Sequence, residues 1–255
     1  MERPKYGTWI RSRPIVILSV LAAVFLALSA LAAWHWLFLV FLVPAGVFLY
    51  ILLIVGMSRW RFSPSGGNYQ DRVHQLLVSR VAGERILDIG CGSGHLLAEI
   101  AKANPHASLV GLDYWGANWE YSREQCVANF RAEGLEARAE FIRASAANLP
   151  PELGEFDTVV SCLTFHEVGD LEDKTVALRQ ALGTLRPGGT FAFIDLFGDP
   201  KAYPDQGLID AAVAESGGAV LERAPLADLL PLPFPLNHKR VLGHAQLIAG
   251  EKRRT

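Results

Sequence analysis

Leu87-Asp88-Ile89-Gly90-Cys91-Gly92-Ser93-Gly94 is the stretch whose reading decides the fold. The apolar run Arg85-Ile86-Leu87-Asp88-Ile89 reads as a strand, and three glycines in alternation follow it. A glycine has no Cβ, so such a turn reaches conformations closed to other residues and lets a ligand approach the main chain. After Gly94 the apolar spacing turns helical as far as Ala103. The first turn of that helix presents unpaired amide groups toward the glycines. Strand, glycine turn and helix form the opening unit of an α/β domain.

The same alternation continues along the chain. A helical pattern over residues 69–81 precedes the first strand. Further strands are expected at 108–112, 139–142, 158–162 and 190–196, with helices at about 118–133 and 172–185 between them. Arg186-Pro187-Gly188-Gly189 reads as a turn before the fifth strand, and a last strand is expected at about 241–249. Alternating elements of this kind imply a parallel sheet with helices on both faces. Right-handed crossovers then gather the loops at the carboxyl ends of the strands into one crevice.

The glycine spacing bears on what that crevice takes. The dinucleotide fingerprint places its third glycine three positions after the second. Here that position is His95, and the third glycine comes one position earlier. Asp113 lies 19 residues after Gly94, at the end of the second strand. An acid there can accept both hydrogens of a ribose diol. More than one class of cofactor site uses such an acid, so it supports an adenosine-bearing ligand without choosing between them, and only the glycine spacing disfavours a nicotinamide-dependent oxidoreductase.

Four stretches in order complete the pattern: Leu87–Gly94, Gly111-Leu112-Asp113, Phe156-Asp157-Thr158-Val159-Val160-Ser161, and Leu185-Arg186-Pro187-Gly188-Gly189-Thr190. Together they resemble the class I S-adenosylmethionine-dependent methyltransferases over about residues 69–197. The resemblance implies a Rossmann-like α/β fold with a doubly wound, mostly parallel seven-stranded sheet. It implies S-adenosylmethionine as cofactor, S-adenosylhomocysteine as product, and no metal.

Site residues follow from the same resemblance, position by position. Asp88 would hold the methionine ammonium through water. Gly90, Cys91 and Gly92 would pass under the methionine and ribose, and Gly94 completes the cofactor-binding turn. Asp113 would bind the ribose hydroxyls with Tyr114 beside the adenine, Ser145 and Ala146 would flank the adenine, and Ser161 closes the fourth-strand motif. Ser145 stands where a common form of the family has an acid, and a hydroxyl is the weaker acceptor.

Asp113–Ser122 and Leu163-Thr164-Phe165-His166-Glu167-Val168 are also similar to a group of small bacterial membrane methyltransferases of unassigned substrate. His166 follows the fourth strand at the mouth of the crevice. It reads either as a general base, useful when the acceptor is a hydroxyl, or as a histidine that caps the loop. Glu167 and Asp170 are a solvated loop or the groups that orient His166. Trp115, Trp119 and Tyr121 line an apolar acceptor pocket or pack on the domain.

Residues 14–58 contain no Asp, Glu, Lys or Arg, a run of 45 positions. One membrane span needs about 20 apolar residues, so the run suits two spans joined by a tight turn. They are placed at 15–33 and 37–56, with Trp34, His35 and Trp36 at the turn and a kink at Pro44 and Gly46. Basic residues flank both ends (Arg3, Lys5, Arg11 and Arg13 before, Arg59 and Arg61 after) and none lies in the turn. The positive-inside rule then puts both ends in the cytoplasm. A cleaved signal peptide would have a shorter apolar region, and a soluble core rarely hides so long an uncharged run. The expected layout is a cytoplasmic N-terminal segment (1–13), a two-helix transmembrane hairpin (14–58), a linker (59–68) and a methyltransferase domain (69–255). Localisation would be integral to a plasma or inner membrane, with the catalytic domain on the cytoplasmic side.

Bulk properties agree. The chain has 255 residues, 51% of them hydrophobic, and a net charge of −2. No basic domain is present of the kind a nucleic-acid binder shows, so no nucleic-acid partner is expected. Cys91, Cys126 and Cys162 match no zinc spacing and read as free thiols. The partners expected are the bilayer and a lipid, quinone or other apolar small-molecule acceptor. Leu229-Leu230-Pro231-Leu232-Pro233-Phe234-Pro235-Leu236 is then either an apolar lid or a packed loop. Open alternatives are a tethered methyltransferase of a protein or soluble molecule, and a non-catalytic S-adenosylmethionine-binding scaffold.

Overall fold

Among the described residues, seven strands form one mixed sheet. The structure is a computed structural model and describes residues 3–116 and 119–254. It divides into two units, Met1–Gly7 with Asp71–Thr255, and Thr8–Gln70.

The helical pattern over 69–81 forms α3 (Tyr69–Val78). In the first unit β1 (Arg85–Ile89) pairs in parallel with β2 (Ser108–Asp113) and β4 (Phe156–Cys162). β3 (Ala139–Arg143) extends the sheet beyond β2, and β5 (Leu185–Asp195) lies beyond β4, both also parallel. The last strand, β7 (Gln246–Lys252), inserts antiparallel between β5 and β6 (Gly218–Pro225). The sheet therefore runs β3-β2-β1-β4-β5-β7-β6, and its order reverses between β1 and β4, so the crevice opens where their carboxyl ends diverge.

Alternation sorts the side chains of each strand between two faces. On one face Leu87, Ile89, Val110, Leu112, Val159 and Phe193 pack with Leu178 and Leu182 of α6 (Thr175–Gly183) and Ile209 and Val213 of α7 (Gln206–Glu215). On the other, Leu97 of α4 (His95–Ala103) comes so close to β2 that a Cβ on Gly111 would lie 3.0 Å from it. Phe130 of α5 (Arg123–Ala132) meets Phe141 edge-on, with ring centroids 5.0 Å apart. The three cysteines are free and buried.

Several elements start or end away from their expected places, each for a local reason. The helix expected from 118 begins at Arg123, because the Ser122 hydroxyl caps it by accepting from Gln125 N at 3.2 Å. Ala117 and Asn118 lie outside the described residues. Residues 186–189, read as a turn, lie inside β5, which pairs from Leu185 with a register shift against β4. The last strand starts at Gln246, because Leu236 to Ala245 is a series of turns, with Val241 N donating to His238 O at 2.8 Å. β6 was not among the strands expected. It is an edge strand whose short apolar run, Ala219-Val220-Leu221, is half-buried or exposed and stops at Glu222, so it lacks the signal of the central strands.

In the second unit, α1 (Ser12–Ala30) runs into a 3-10 turn at Leu31–Ala33. A second 3-10 stretch, Trp36–Phe41, leads into α2 (Leu42–Phe62). Phe25 of α1 stacks on Phe48 of α2 at 5.6 Å, and Ala22 and Ala45 are buried. The irregularity expected at Pro44 lies just upstream of it. Pro44 falls in the first turn of α2, where a missing N–H costs the helix nothing. α2 continues past 56, and Arg59 in its last turn donates to Ile10 O at 3.1 Å. Residues 63–68 close into a turn, with Asn68 N donating to Ser63 O at 3.0 Å. The segments Ser12–Ala33 and Trp36–Phe62 are long and apolar enough to cross a membrane.

Candidate functional site

The glycine turn is held from below by the end of β2. Gly90 N and Cys91 N both donate to Leu112 O, at 2.7 and 3.1 Å. Gly90, Gly92 and Gly94 all have positive φ, at 77°, 56° and 82°. At Gly90 the demand for glycine is absolute, since a Cβ would lie 2.0 Å from the Thr164 hydroxyl oxygen. Gly94 caps α4, whose first amides point back over the turn.

Two acids flank it. Asp113 Oδ2 accepts from Gly92 N at 2.9 Å, and its Oδ1 accepts from Trp115 N at 2.7 Å. Each oxygen keeps acceptor capacity beyond these bonds. Asp88 is buried, and among the described residues neither of its carboxylate oxygens has a hydrogen-bond partner. Burial first, and the nearby charge of Asp113 second, push its pKa up to about 8. An orphaned buried acid beside a glycine turn is a group waiting for a cation. The ammonium and ribose diol of S-adenosylmethionine fit this pair: Asp88 would take the first and Asp113 the second.

Trp115 belongs to the support of this turn. Its indole Nε1 donates to Gly92 O at 2.8 Å, and its φ is 44°. Cys126 Sγ donates to the same carbonyl at 3.0 Å. Trp119 and Tyr121 stack on each other with centroids 5.8 Å apart. The Ser161 hydroxyl donates to Ile89 O at 2.8 Å within the sheet, so it steadies the strand that ends at Gly90.

At the expected adenine end, Tyr114 is exposed and Arg143 lies over its ring at 5.7 Å. Ser145 Oγ accepts from Ala147 N at 3.2 Å and donates to Asp170 Oδ2 at 3.5 Å. The carboxylate missing from position 145 is thus brought close by the loop that follows β4. Ala146 is buried.

His166 follows β4 in a short 3-10 turn, Phe165–Glu167. The residue that gives it direction is Asp195, at the end of β5, which the sequence reading did not single out. Asp195 is fully buried, and its Oδ1 lies 2.5 Å from His166 Nδ1. Phe165 N and His166 N donate to Oδ2 at 2.7 and 3.3 Å, and Leu196 N donates to Oδ1 at 2.6 Å. With the carboxylate as acceptor, Nδ1 carries the imidazole proton and Nε2 is the free basic atom. Nε2 lies 3.6 Å from Glu167 Oε1. Burial alone lowers the His166 pKa, but the charge and hydrogen bond of Asp195 overcome it and the net shift is upward. Thr164, two residues before His166, is the side chain packed on Gly90. One short loop therefore joins the histidine to the glycine turn. Asp195 could have been noticed as an acid ending an apolar strand, the same position Asp113 holds.

A group of metal-ligand type, Asp71, His95 and Glu99, has its atoms within 4.8 Å of one another. The Glu99 carboxylate is already answered by Lys102 Nζ at 2.9 Å and Gln75 Nε2 at 3.2 Å.

Residues 86–189 match the family model described as a methyltransferase domain. Methyltransferase GfsG of Streptomyces halstedii is 30% identical over 193 residues, covering 70% of this chain and 66% of its own length. The ubiquinone biosynthesis O-methyltransferase of Pseudomonas fluorescens is 31% identical over 123 residues, 48% of this chain and 49% of its own. Among solved structures, StiE O-MT superposes with a TM-score of 0.58 at 17% identity, covering 75% of this chain and 78% of that one. The chain spans between about half and two thirds of the length of the first curated relatives it matches. The glycine turn, its two acids, the sheet order and these likenesses agree, and the chain belongs to the class I S-adenosylmethionine-dependent methyltransferases.

Proposed function

We propose that this protein transfers a methyl group from S-adenosylmethionine to a hydroxyl of an apolar small molecule, a lipid or quinone, at a membrane. The observation that carries the hydroxyl reading is the His166–Asp195 pair. When bound, S-adenosylmethionine supplies a sulfonium methyl open to in-line displacement. Asp88 balances the ammonium, Asp113 takes the ribose hydroxyls, and Ser145 with Asp170 supplies acceptors at the adenine edge. His166 Nε2 removes the proton of the acceptor hydroxyl as the new C–O bond forms. Asp195 fixes the ring and stabilises the imidazolium that results. Holding donor and acceptor in line supplies the rest, worth about 7–11 kcal/mol in well-oriented reactions.

The membrane part of the reading rests on the second unit. Little of either apolar segment is buried. Val16, Ile17, Val43 and Leu53 are all exposed. A core helix would hide such residues, whereas lipid accepts them on every side. With both flanks basic, the positive-inside rule favours a cytoplasmic domain. The likeness to an enzyme named for ubiquinone biosynthesis supports an apolar acceptor. The test is to incubate the full chain in lipid nanodiscs with S-adenosylmethionine carrying a deuterated methyl group and a total membrane extract. A labelled methoxy species in the lipid or quinone fraction is expected. Label confined to soluble molecules or to protein would overturn the acceptor class.

A further inference from the structure

We infer that residues 3–7, ahead of the apolar hairpin, are a strap that positions the methyl-donor turn, so that donor affinity depends on this segment. The inference rests on the assignment of the glycine turn to S-adenosylmethionine.

The strap is held by its main-chain atoms, which side chains of the domain grip. Lys5 N donates to Asn129 Oδ1 at 2.7 Å, and Lys5 O accepts from Asn129 Nδ2 at 3.2 Å. Gln125 Nε2 donates to the same Lys5 carbonyl. Asn129 is buried, and its Nδ2 also donates to Ser93 O at 2.9 Å. Ser93 in turn donates its hydroxyl to Tyr6 O at 2.7 Å. The Ser93 hydroxyl and carbonyl are thus engaged by the strap and by the asparagine that grips it.

Tyr6 completes the contact. Its ring stacks on His95, the first residue of α4, with centroids 4.4 Å apart and an interplanar angle of 15°. Its hydroxyl donates to Glu133 Oε1 at 3.2 Å, and burial together with Glu133 holds the phenol protonated. Beyond it Gly7, at φ 69°, approaches Tyr121. A methyl on Gly7 would lie 3.5 Å from that ring, and one on Gly92 would lie 3.5 Å from it too.

Ser93 sits between two glycines of positive φ, where the main chain is least restrained by its own chemistry. A turn that must be ordered on binding loses affinity to the entropy of ordering, and a turn ordered beforehand does not. The strap supplies that order. Coupling of this kind is reciprocal: whatever the strap does for the donor, the donor does for the strap.

Calorimetry with S-adenosylhomocysteine on the full chain in nanodiscs tests this, with the unfolding midpoint of each ligand-free variant measured in parallel. Tyr6→Ala and Ser93→Ala are expected to weaken binding about five- to tenfold, the worth of roughly one lost hydrogen bond or ring contact. Amide exchange across residues 92–95 should quicken, and Tyr6→Phe should recover the greater part of the affinity. A merely structural strap would lower the midpoint and leave the affinity of the folded variants unchanged, which would overturn the inference. In the wild type, S-adenosylhomocysteine should slow amide exchange in residues 3–7. Binding without any change there would also overturn it, whether or not the variants fold. Absence of binding to the wild type would instead remove the cofactor assignment itself.

Discussion

Thr164 fills the space that a side chain on Gly90 would need: a Cβ there would lie 2.0 Å from its Oγ1 and 2.2 Å from its Cγ2. The contact joins the donor turn after β1 to the loop that carries His166. Gly90→Ala must therefore push this loop as well as strain a backbone at φ 77°. A loss of about 1–3 kcal/mol of stability is expected from the strain alone. Denaturant unfolding and donor binding should both be impaired. Normal S-adenosylhomocysteine affinity in Gly90→Ala would contradict the packing described.

The raised pKa of Asp88 gives a signed pH dependence. An acid whose folded pKa stands above its unfolded value stabilises the fold at low pH, and that contribution is lost as pH rises through the folded pKa. Ligand-free protein should thus lose stability between about pH 4 and about pH 8, the interval from the ordinary value of 3.8 to the shifted one of about 8. An ammonium ligand needs the carboxylate ionised, so affinity should climb over the same interval with release of up to one proton. Calorimetry in buffers of different ionisation heats measures that proton. Asp88→Asn should bind weakly and release none.

His166 and Asp195 predict the pH profile of the reaction. Asp195 raises the histidine pKa, so kcat/KM should rise with pH through an apparent pKa above the ordinary 6.5. The stability linked to this pair runs the other way: it is complete at low pH and is lost as pH passes the folded pKa. Asp195→Asn should lower that apparent pKa and, like His166→Ala, cut the rate by about 10²–10⁴-fold, the usual worth of a positioned base. A pH-independent rate in wild type, or full activity of His166→Ala, would remove the base from the mechanism.

The apolar unit makes its own prediction. Cells expressing the full chain, lysed and extracted with alkaline carbonate, should retain it in the membrane pellet. Recovery in the supernatant would show that the exposed Val16, Ile17 and Val43 are covered by protein instead of lipid.

Much of this is legible in the sequence alone. The turn Gly90–Gly94 and the acids Asp88 and Asp113 announce themselves because their chemistry is local: a strand, a bend and a charge at its end. The central strands were readable because burial on both faces makes them continuously apolar. β6 was not, since an edge strand with Glu222 and Arg223 in it has no such run. The bond from Asp195 to His166 was hidden for a different reason. It joins residues 29 positions apart, and only the neighbouring ends of β4 and β5 bring them together. The strap was hidden more deeply still, because Lys5 and Asn129 are separated by 124 residues, and Lys5 offers only its main-chain N–H and carbonyl to the Asn129 side-chain amide.

The central claim is that the glycine turn, Asp88 and Asp113 form a site for an adenosine-bearing methyl donor. Titration of the purified full chain with S-adenosylhomocysteine and, separately, with NAD tests it most directly. Saturable one-to-one binding of the first, abolished in Asp113→Ala, with no heat from the second, is the result predicted. A chain that binds neither ligand, or binds NAD in preference, would contradict it.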